Sequence, residues 1–261
     1  MCIVAQGLAT STAEEARTYF KNLSSNVKNF VVGPRTSDSL KLLFDPDRVE
    51  DRKVWLRGRN ALADTTPSGQ SSVLYEDFIH SDMIEFSFSS VFRSLPNVVD
   101  GLKRTQRKIL FTCLEKNITT DVKVAQLAGS VAELTAYHHG EGTLTNSIIK
   151  MAGDYVGANN VPLLVPSGQF GTRHQGGTDG ANGRYIFTRL SPITRLIYPK
   201  VDCDLQKRMV EEEKEVEPMY FLPVIPMLLV NGSFGVGTGW NTNIPMFHPI
   251  DVLRRVRDKI R

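Results

Sequence analysis

Apolar residues between positions 93 and 160 recur at the three- and four-residue spacing that is typical of amphipathic helices. The pattern predicts a helix over residues 100 to about 116, a second over about 122 to 137 and a third over about 141 to 156. Their predicted core residues include Leu102, Ile109, Leu110 and Leu114 in the first helix, and Leu144, Ile148, Met151 and Tyr155 in the third. Three short helices with a glycine turn suit a helix-turn-helix, but many unrelated bundles share this pattern.

The first 56 residues have the pattern of the end of an α/β unit. A loop at residues 7–12 precedes a helical pattern, for which Thr12 is the predicted N-cap. Glu14 and Glu15 lie in the first turn, where the positive end of the helix dipole stabilises acidic side chains. Tyr19 and Phe20 are expected on the apolar face of this helix.

Residues 57–72 are rich in Gly, Ser, Thr, Pro and Asp and show no periodicity. Such a stretch predicts a mobile linker and a domain boundary. We expect ordered structure to resume in a second domain over residues 73–190.

The last 71 residues, 191–261, combine three different patterns. A buried helix is predicted from Ile193, Leu196 and Ile197. The acidic run at 211–217 is predicted to be a solvated face. The apolar stretch at 220–230 contains two prolines, which favour an edge or irregular strand over a central one.

Glycine is concentrated between residues 168 and 183, directly before Arg184 and Tyr185. Because glycine loses the most backbone entropy on ordering, this stretch predicts a loop whose backbone can lie flat against another molecule. A tyrosine that follows an arginine at the mouth of such a loop suggests a nucleophile beside a phosphate clamp. The alternative is a ring packed under a turn.

A second glycine loop at 231–240 lacks the spacing of a dinucleotide-binding fingerprint.

Composition changes this picture little. The formal net charge is +3, which by itself does not indicate nucleic acid, although basic residues cluster at 103–108 and 254–261. Three widely spaced cysteines indicate neither a metal pair nor a disulfide framework. No apolar run approaches the roughly 20 residues of a membrane span, and the N-terminus lacks the layout of a secretory signal. We therefore expect an intracellular, soluble protein.

Tyrosine is a weak nucleophile at neutral pH, since with a pKa near 10 only about one phenol in a thousand is ionised. Attack on a phosphodiester therefore needs a positive neighbour and is helped by a divalent metal. Arg184 supplies fixed charge next to Tyr185, and its guanidinium suits bidentate phosphate contact. The sequence contains no ATP-binding motif and no carboxylate cluster for magnesium, so that no metal ligands are assigned.

Several motifs, taken together, resemble eukaryotic-type DNA topoisomerase II over essentially the whole chain. The stretch 166–190 resembles the DNA-cleavage loop of that family, and Arg93-Ser-Leu-Pro and Ala136-Tyr-His-His-Gly-Glu141 resemble parts of its winged-helix domain. The motifs at 100–108 and 124–133 match the same domain, and those at 7–12 and 51–56 resemble the end of its toprim domain. Four residues depart from the family pattern: Gln6 and Ala9 in the toprim-like turn, and Arg104 and Thr105 at the start of the first helix.

The resemblance implies an α+β fold. Residues 1–56 would end a toprim-like α/β domain, and residues 57–72 would form a linker. Residues 73–190 would form a winged-helix (helix-turn-helix) DNA-binding domain that carries the glycine-rich catalytic loop, and residues 191–261 would begin an α/β tower.

The resemblance also implies that Tyr185, helped by Arg184, attacks DNA to form a 5′-phosphotyrosyl link during ATP-dependent double-strand passage. Val236 stands where the family inserts an isoleucine between base pairs. Contacts to the DNA backbone are expected from Arg93, Lys103, Arg107, His138, His139 and Arg173.

Mg²⁺ and ATP would be held by a toprim and an ATPase domain that lie outside this chain. The expected partners are duplex DNA and, in the full-length protein, a second copy, with no membrane; the expected location is the nucleus or a DNA-containing organelle. A non-catalytic duplex-DNA-binding protein of the same fold remains an alternative. A protein of the gyrase A type is disfavoured, because here a toprim-like segment runs straight into the tyrosine domain.

Overall fold

A computed structural model describes residues 12–23, 27–59 and 72–261. The chain divides into two compact units, Met1–Phe92 with Gly237–Trp240, and Arg93–Val236 with Asn241–Arg261. Gln6, Ala9 and most of the proposed linker lie outside the described residues. The boundaries predicted at residues 57–72 therefore stay a prediction.

The described part of the first unit contains helices and one short parallel strand pair. Thr12 caps helix α1 (Ala13–Lys21) and accepts a hydrogen bond from the backbone N–H of Glu15, as predicted. Tyr19 and Phe20 are largely exposed, so that the expected apolar face of α1 is not buried. The other elements are β1 (Asn29–Val31), α2 (Thr36–Phe44), a 3₁₀ turn (Pro46–Arg48), α3 (Val49–Arg57), β2 (Ser72–Leu74), which pairs with β1, α4 (Tyr75–Phe78), a π turn (Ile79–Met83) and α5 (Ile84–Ser94).

The second unit is built on three helices and a three-stranded antiparallel sheet. The helices are α6 (Arg104–Glu115), α7 (Val124–Thr135) and α8 (Glu141–Ala152), and the strands run in the order β3 (Val122–Lys123), β5 (Phe187–Leu190) and β4 (Leu164–Ser167). All the predicted core residues of the first helix are buried, as are Leu144, Ile148 and Met151. Tyr155 is the exception, because α8 ends at Ala152 and leaves this ring in the following loop.

The elements after β5 are short, except for the last, a helix of 12 residues. They are α9 (Pro192–Ile197), α10 (Lys200–Asp204), β6 (Arg208–Glu211), β7 (Lys214–Pro218), α11 (Met227–Val230), β8 (Ser233–Gly237), β9 (Trp240–Ile244) and α12 (Pro249–Ile260). Two predictions are wrong here. The stretch 220–230 forms no strand and ends in α11, and in α9 Ile197 is buried while Ile193 and Leu196 are exposed. A six-residue helix can bury only one narrow side.

The acidic run at 211–217 is not simply a solvated face, contrary to its prediction. It forms the hairpin of β6 and β7, and the side chain of Glu217 is fully buried. The ammonium of Lys108 lies 2.9 Å from a carboxylate oxygen of Glu217 and 3.0 Å from one of Glu211, and it donates to the carbonyl of Thr135 at 2.6 Å. These contacts tie the hairpin to both α6 and α7.

A second buried ion pair fixes the start of α6. The guanidinium of Arg107 donates to both carboxylate oxygens of Asp100, at 2.7 and 3.0 Å. Asp100 also accepts the backbone N–H groups of Leu102 and Phe221, at 2.9 and 3.0 Å. The carboxylate therefore joins the helix start to a segment more than a hundred residues later.

We predict that Asp100→Asn lowers the free energy of unfolding by about 3 kcal/mol or more, because it leaves the Arg107 charge buried without its partner. Chemical denaturation measures this change. As a control, Glu133→Gln alters an exposed ion pair with Lys116 and should change stability by about 0.5 kcal/mol or less. Equal effects of the two substitutions would contradict the structural role of Asp100.

Candidate functional site

The glycine-rich loop lies between strands β4 and β5 and is closed by its own backbone. Ala181 donates to the carbonyl of Gln169 at 2.8 Å, and Gly177 donates to that of Thr172 at 3.0 Å. Asp179 accepts the backbone N–H of Thr172 at 2.8 Å. That hydrogen bond is the main reason why the pKa of Asp179 lies below its usual value. These hydrogen bonds hold the loop in a defined conformation.

Glycine is required where two parts of this loop touch. Gly171 has a φ of 104°, and a Cβ atom there would lie 2.5 Å from the Cα of Gly177. Gly177 has a φ of 84°, and a Cβ atom there would lie 2.2 Å from the hydroxyl oxygen of Tyr155. Tyr155, predicted to belong to the helical stripe of α8, instead packs its hydroxyl group against Gly177 and so supports the loop.

The backbone around Tyr185 is held on both sides. Before it, the buried Gly183 accepts the backbone N–H of Ala125 at 3.1 Å through its carbonyl. After it, the carbonyl of Ile186, whose side chain is buried, accepts the N–H of Val124 at 3.1 Å. Both donors belong to the first turn of α7.

Asn182 builds the turn that presents Arg184 and Tyr185. Its side-chain oxygen accepts the N–H of Arg184 at 3.1 Å, and its carbonyl accepts the N–H of Tyr185 at 2.9 Å. The tyrosine ring itself is 76% exposed. The alternative of a ring packed under a turn is therefore wrong: the backbone is fixed and the phenol faces outward.

A cleft of about 820 Å³ separates the loop from α8. This volume lies within the range of ligand-binding pockets in proteins. The glycine backbone of the loop forms one wall, and the lining includes Glu141, Thr145, Lys150, Tyr155, Phe170 and Arg184. Arg184 thus borders both the cleft and the exposed tyrosine.

Five of the six residues predicted to contact the DNA backbone lie at or near the surface. Arg93 and Arg173 are exposed, while Lys103 is half-buried, and burial lowers its pKa. His138 lies 2.8 Å from a carboxylate oxygen of Glu212, and the ring of His139 meets that of Tyr137 edge-on at 5.5 Å. These five side chains can therefore reach a ligand at the surface.

Arg107, the sixth of these residues, is 2% exposed, and the prediction that it contacts DNA is wrong. Its Nε and Nη2 groups are engaged by Asp100 and by the carbonyl of Leu102. A guanidinium buried in this way cannot reach a phosphate outside the protein. The motif at 100–108 identified a residue of structural importance and gave it the wrong role.

The imidazole of His139 lies near several basic side chains of the second unit. Its pKa is lowered first by burial and then by the charges of Arg93, His138, Arg104 and Lys108. The last three are paired with carboxylates of the β6–β7 hairpin, whereas Arg93 is exposed. An exposed guanidinium near an imidazole suits an anion such as phosphate.

Val236 lies in the β8–β9 hairpin and is 61% exposed. An exposed branched apolar side chain on a hairpin has the form of an intercalating wedge.

Among residues 12–23, 27–59 and 72–261, no group of three or more His, Cys, Asp or Glu side chains is placed to hold a metal ion. In the same residues, no helix is long and apolar enough to cross a bilayer.

Sequence reasoning missed the roles of Asp179, Asn182, Tyr155 and Glu212. Asn182 carries a local signal, since an asparagine commonly bonds the backbone two residues later in a turn. Asp179 instead accepts from Thr172, seven residues earlier, so that no such local signal applies to it. The roles of Tyr155 and Glu212 depend on contacts between distant segments, and nothing local in the sequence indicates them.

Comparison with known proteins identifies relatives of both units. Residues 93–261 match the family of the A-type subunit of DNA gyrase/topoisomerase IV, and residues 5–91 match the C-terminal associated domain of TOPRIM. The chain is 46% identical to the mitochondrial DNA topoisomerase 2 of Dictyostelium discoideum over 95% of its own length. It is 47% identical to DNA topoisomerase 2 of Arabidopsis thaliana over 97%. It spans only 19% and 17% of the lengths of these two relatives.

A solved structure shows the same fold. The DNA-binding, cleavage and re-ligation domain of Plasmodium falciparum topoisomerase II matches with a TM-score of 0.79 and 40% sequence identity. The match covers 97% of this chain and 35% of the other. The expected α+β fold is thereby confirmed.

We predict that Gly171→Ala opens the loop, because the added methyl group meets the backbone of Gly177 and the left-handed φ disfavours alanine. Amide hydrogen exchange at Gly177 and Ala181 should become faster. Gly129→Ala is the matched control: it lies in α7 with no atom within 4 Å of its added carbon, and should stabilise the helix by about 1 kcal/mol. Unchanged protection at Gly177 in the Gly171 variant would contradict this account.

Proposed function

This chain belongs to the type II DNA topoisomerase family, and we propose that it is the DNA-breaking and rejoining segment of such an enzyme, with Tyr185 as the nucleophile. The observation that carries the proposal is the exposed phenol of Tyr185 on a backbone anchored on both sides, directly after Arg184. An exposed reactive group on a rigid support is what attack on a large substrate requires.

In the proposed reaction, the phenol oxygen of Tyr185 attacks a phosphorus atom of duplex DNA. A bond forms between that oxygen and the phosphorus, and the bond to the 3′ oxygen breaks. The phenol proton passes to water, and the 3′ oxygen takes up a proton from water. The product is a 5′-phosphotyrosyl ester, which conserves the energy of the broken bond, so that the reverse attack by the 3′ hydroxyl needs no fuel.

Arg184 would stabilise the charge that develops on the phosphate during this attack. A preorganised donor of this kind contributes typically about a hundredfold or more to the rate. Arg93, Lys103, His138, His139 and Arg173 would contact other phosphates and hold the duplex in register. The exposed guanidinium of Arg93 near His139 supports this assignment.

Val236 would insert between base pairs. A wedge of this kind trades a few kcal/mol of unstacking for a bent duplex that contacts more of the protein. Its exposure on a two-stranded hairpin supports the assignment. Valine is shorter than isoleucine by one methylene, which favours a shallower bend.

The proposal also covers the domains of this chain and the segments that would lie outside it. We take residues 1–56 as the end of a toprim-like domain, 57–72 as a linker, 73–190 as a winged-helix domain and 191–261 as the start of a tower. The described residues do not fit a Mg²⁺ site. Mg²⁺ and ATP would be held by segments outside this chain, in a homodimer located in the nucleus or, as the name of the Dictyostelium relative suggests, in mitochondria.

We predict that Tyr185→Phe abolishes the covalent protein–DNA adduct in a full-length enzyme carrying this segment, with magnesium present. The substitution removes only the attacking oxygen, so that DNA affinity should be nearly unchanged. Denaturing gels that detect protein-linked DNA measure the first effect, and binding to labelled duplex measures the second. Arg184→Ala should lower cleavage by about a hundredfold or more.

The matched control is Tyr220→Phe, which alters another exposed tyrosine and should leave the adduct intact. An adduct that survives in Tyr185→Phe would place the nucleophile elsewhere. A wild-type enzyme that binds duplex DNA in a salt-dependent manner but never forms an adduct would favour the alternative of a non-catalytic binder.

A further inference from the structure

The hairpin of β6 and β7 ends in an unusual turn. Glu211 pairs with Lys214, so that Glu212 and Glu213 form a two-residue loop, and their φ angles are 49° and 64°. Hairpin turns with two left-handed residues strongly favour Asn-Gly or similar pairs. Two glutamates are a poor choice for the backbone, which suggests that the side chains have a function of their own.

The hairpin is held in a fixed place within the second unit. The buried ammonium of Lys108 contacts Glu211 and Glu217 on the hairpin and also donates to the carbonyl of Thr135. Thr135 is the last residue of α7, and the chain then turns through Ala136, whose φ is 45°. One side chain therefore positions the acidic turn beside the segment that carries the two histidines.

The turn reaches His138 through Glu212. A carboxylate oxygen of Glu212 lies 2.8 Å from Nε2 of His138. An ionised carboxylate can only accept hydrogen bonds, so that Nε2 carries the proton in this contact. A carboxylate on one ring nitrogen fixes the orientation of an imidazole and decides what the other nitrogen can do.

We propose that Glu212 is a positioning residue, which holds the imidazole of His138 by Nε2 so that Nδ1 meets a phosphate of bound duplex DNA. The inference rests on the proposed function. Because a phosphate oxygen accepts hydrogen bonds, this contact needs a proton on Nδ1 in addition to the one on Nε2. Glu213, with the same charge and the same left-handed backbone, has no part in this arrangement.

A competing account makes the opposite prediction. If the two glutamates act only through their negative charge, they repel DNA, and removing either one tightens binding. Since the charge change and the backbone conformation are the same at both positions, the two variants then shift affinity by similar amounts. The comparison between Glu212 and Glu213 therefore separates positioning from general electrostatics.

The experiment compares Glu212→Ala with Glu213→Ala in binding to a labelled duplex at one salt concentration. We expect Glu212→Ala to bind about threefold to tenfold more weakly than Glu213→Ala, the size of effect that one hydrogen bond typically contributes. In a His138→Gln background, this difference should vanish. Glu212→Gln, which keeps an oxygen that can accept from Nε2, should lie between wild type and Glu212→Ala.

Two measurements on the free protein complete the test. Thermal unfolding should be the same for both alanine variants, which excludes a general loss of structure. Nitrogen NMR of the imidazoles should show a proton held on Nε2 of His138 in the wild type and in Glu213→Ala, and no such preference for Nε2 in Glu212→Ala. A His138 spectrum that is identical in all three would overturn the proposal.

The outcomes distinguish this inference from the function on which it rests. Equal affinities of the two alanine variants, or tighter binding by Glu212→Ala, overturn the positioning role alone. Absence of duplex binding by the wild type at low salt overturns the proposed function together with this inference. Weaker binding by Glu212→Ala that persists in the His138→Gln background also overturns the positioning role, because the effect would then not pass through His138.

Discussion

The second unit depends on one buried carboxylate, that of Asp100. It receives four hydrogen bonds, two from the guanidinium of Arg107 and one each from the backbone of Leu102 and Phe221. A buried charge is tolerated only when its hydrogen-bonding capacity is filled in this way. The arrangement fixes where α6 begins and brings the segment around Phe221 against it. The buried face of α6 in turn supports α7 and α8, against which the candidate site is built.

The candidate site separates a rigid backbone from a free side chain. Gly183 and Ile186 are joined to the first turn of α7, and between them Tyr185 projects outward. Neither contact involves the tyrosine ring, so that packing of the core cannot restrict its reach. The glycines of the loop serve the same purpose, because close contact of Gly171 with Gly177 lets the backbone fold without side chains that would fill the adjoining cleft.

Charged residues of this protein have two distinct uses that the sequence does not distinguish. Asp100 with Arg107, and Lys108 with Glu217, are internal ties between distant segments. Arg93, Arg173 and Arg184 are exposed and remain available to a ligand. Both kinds occur in motifs that resemble those of the topoisomerase family. A matched motif therefore indicates that a residue matters, while its burial decides whether it matters for stability or for binding.

The sequence by itself determined the three central helices and the glycine loop, and it indicated Tyr185 as the candidate nucleophile. Helical periodicity and glycine content act over a few residues, so that they can be read from neighbouring positions. Only the tertiary structure decided that Arg107 is internal, that Glu217 is buried and that Tyr155 supports the loop. Each of these depends on which distant segment lies opposite, such as Phe221 beside Asp100 or Glu212 beside His138. Burial and charge pairing depend on that opposing surface, and a local sequence pattern does not indicate which surface it is.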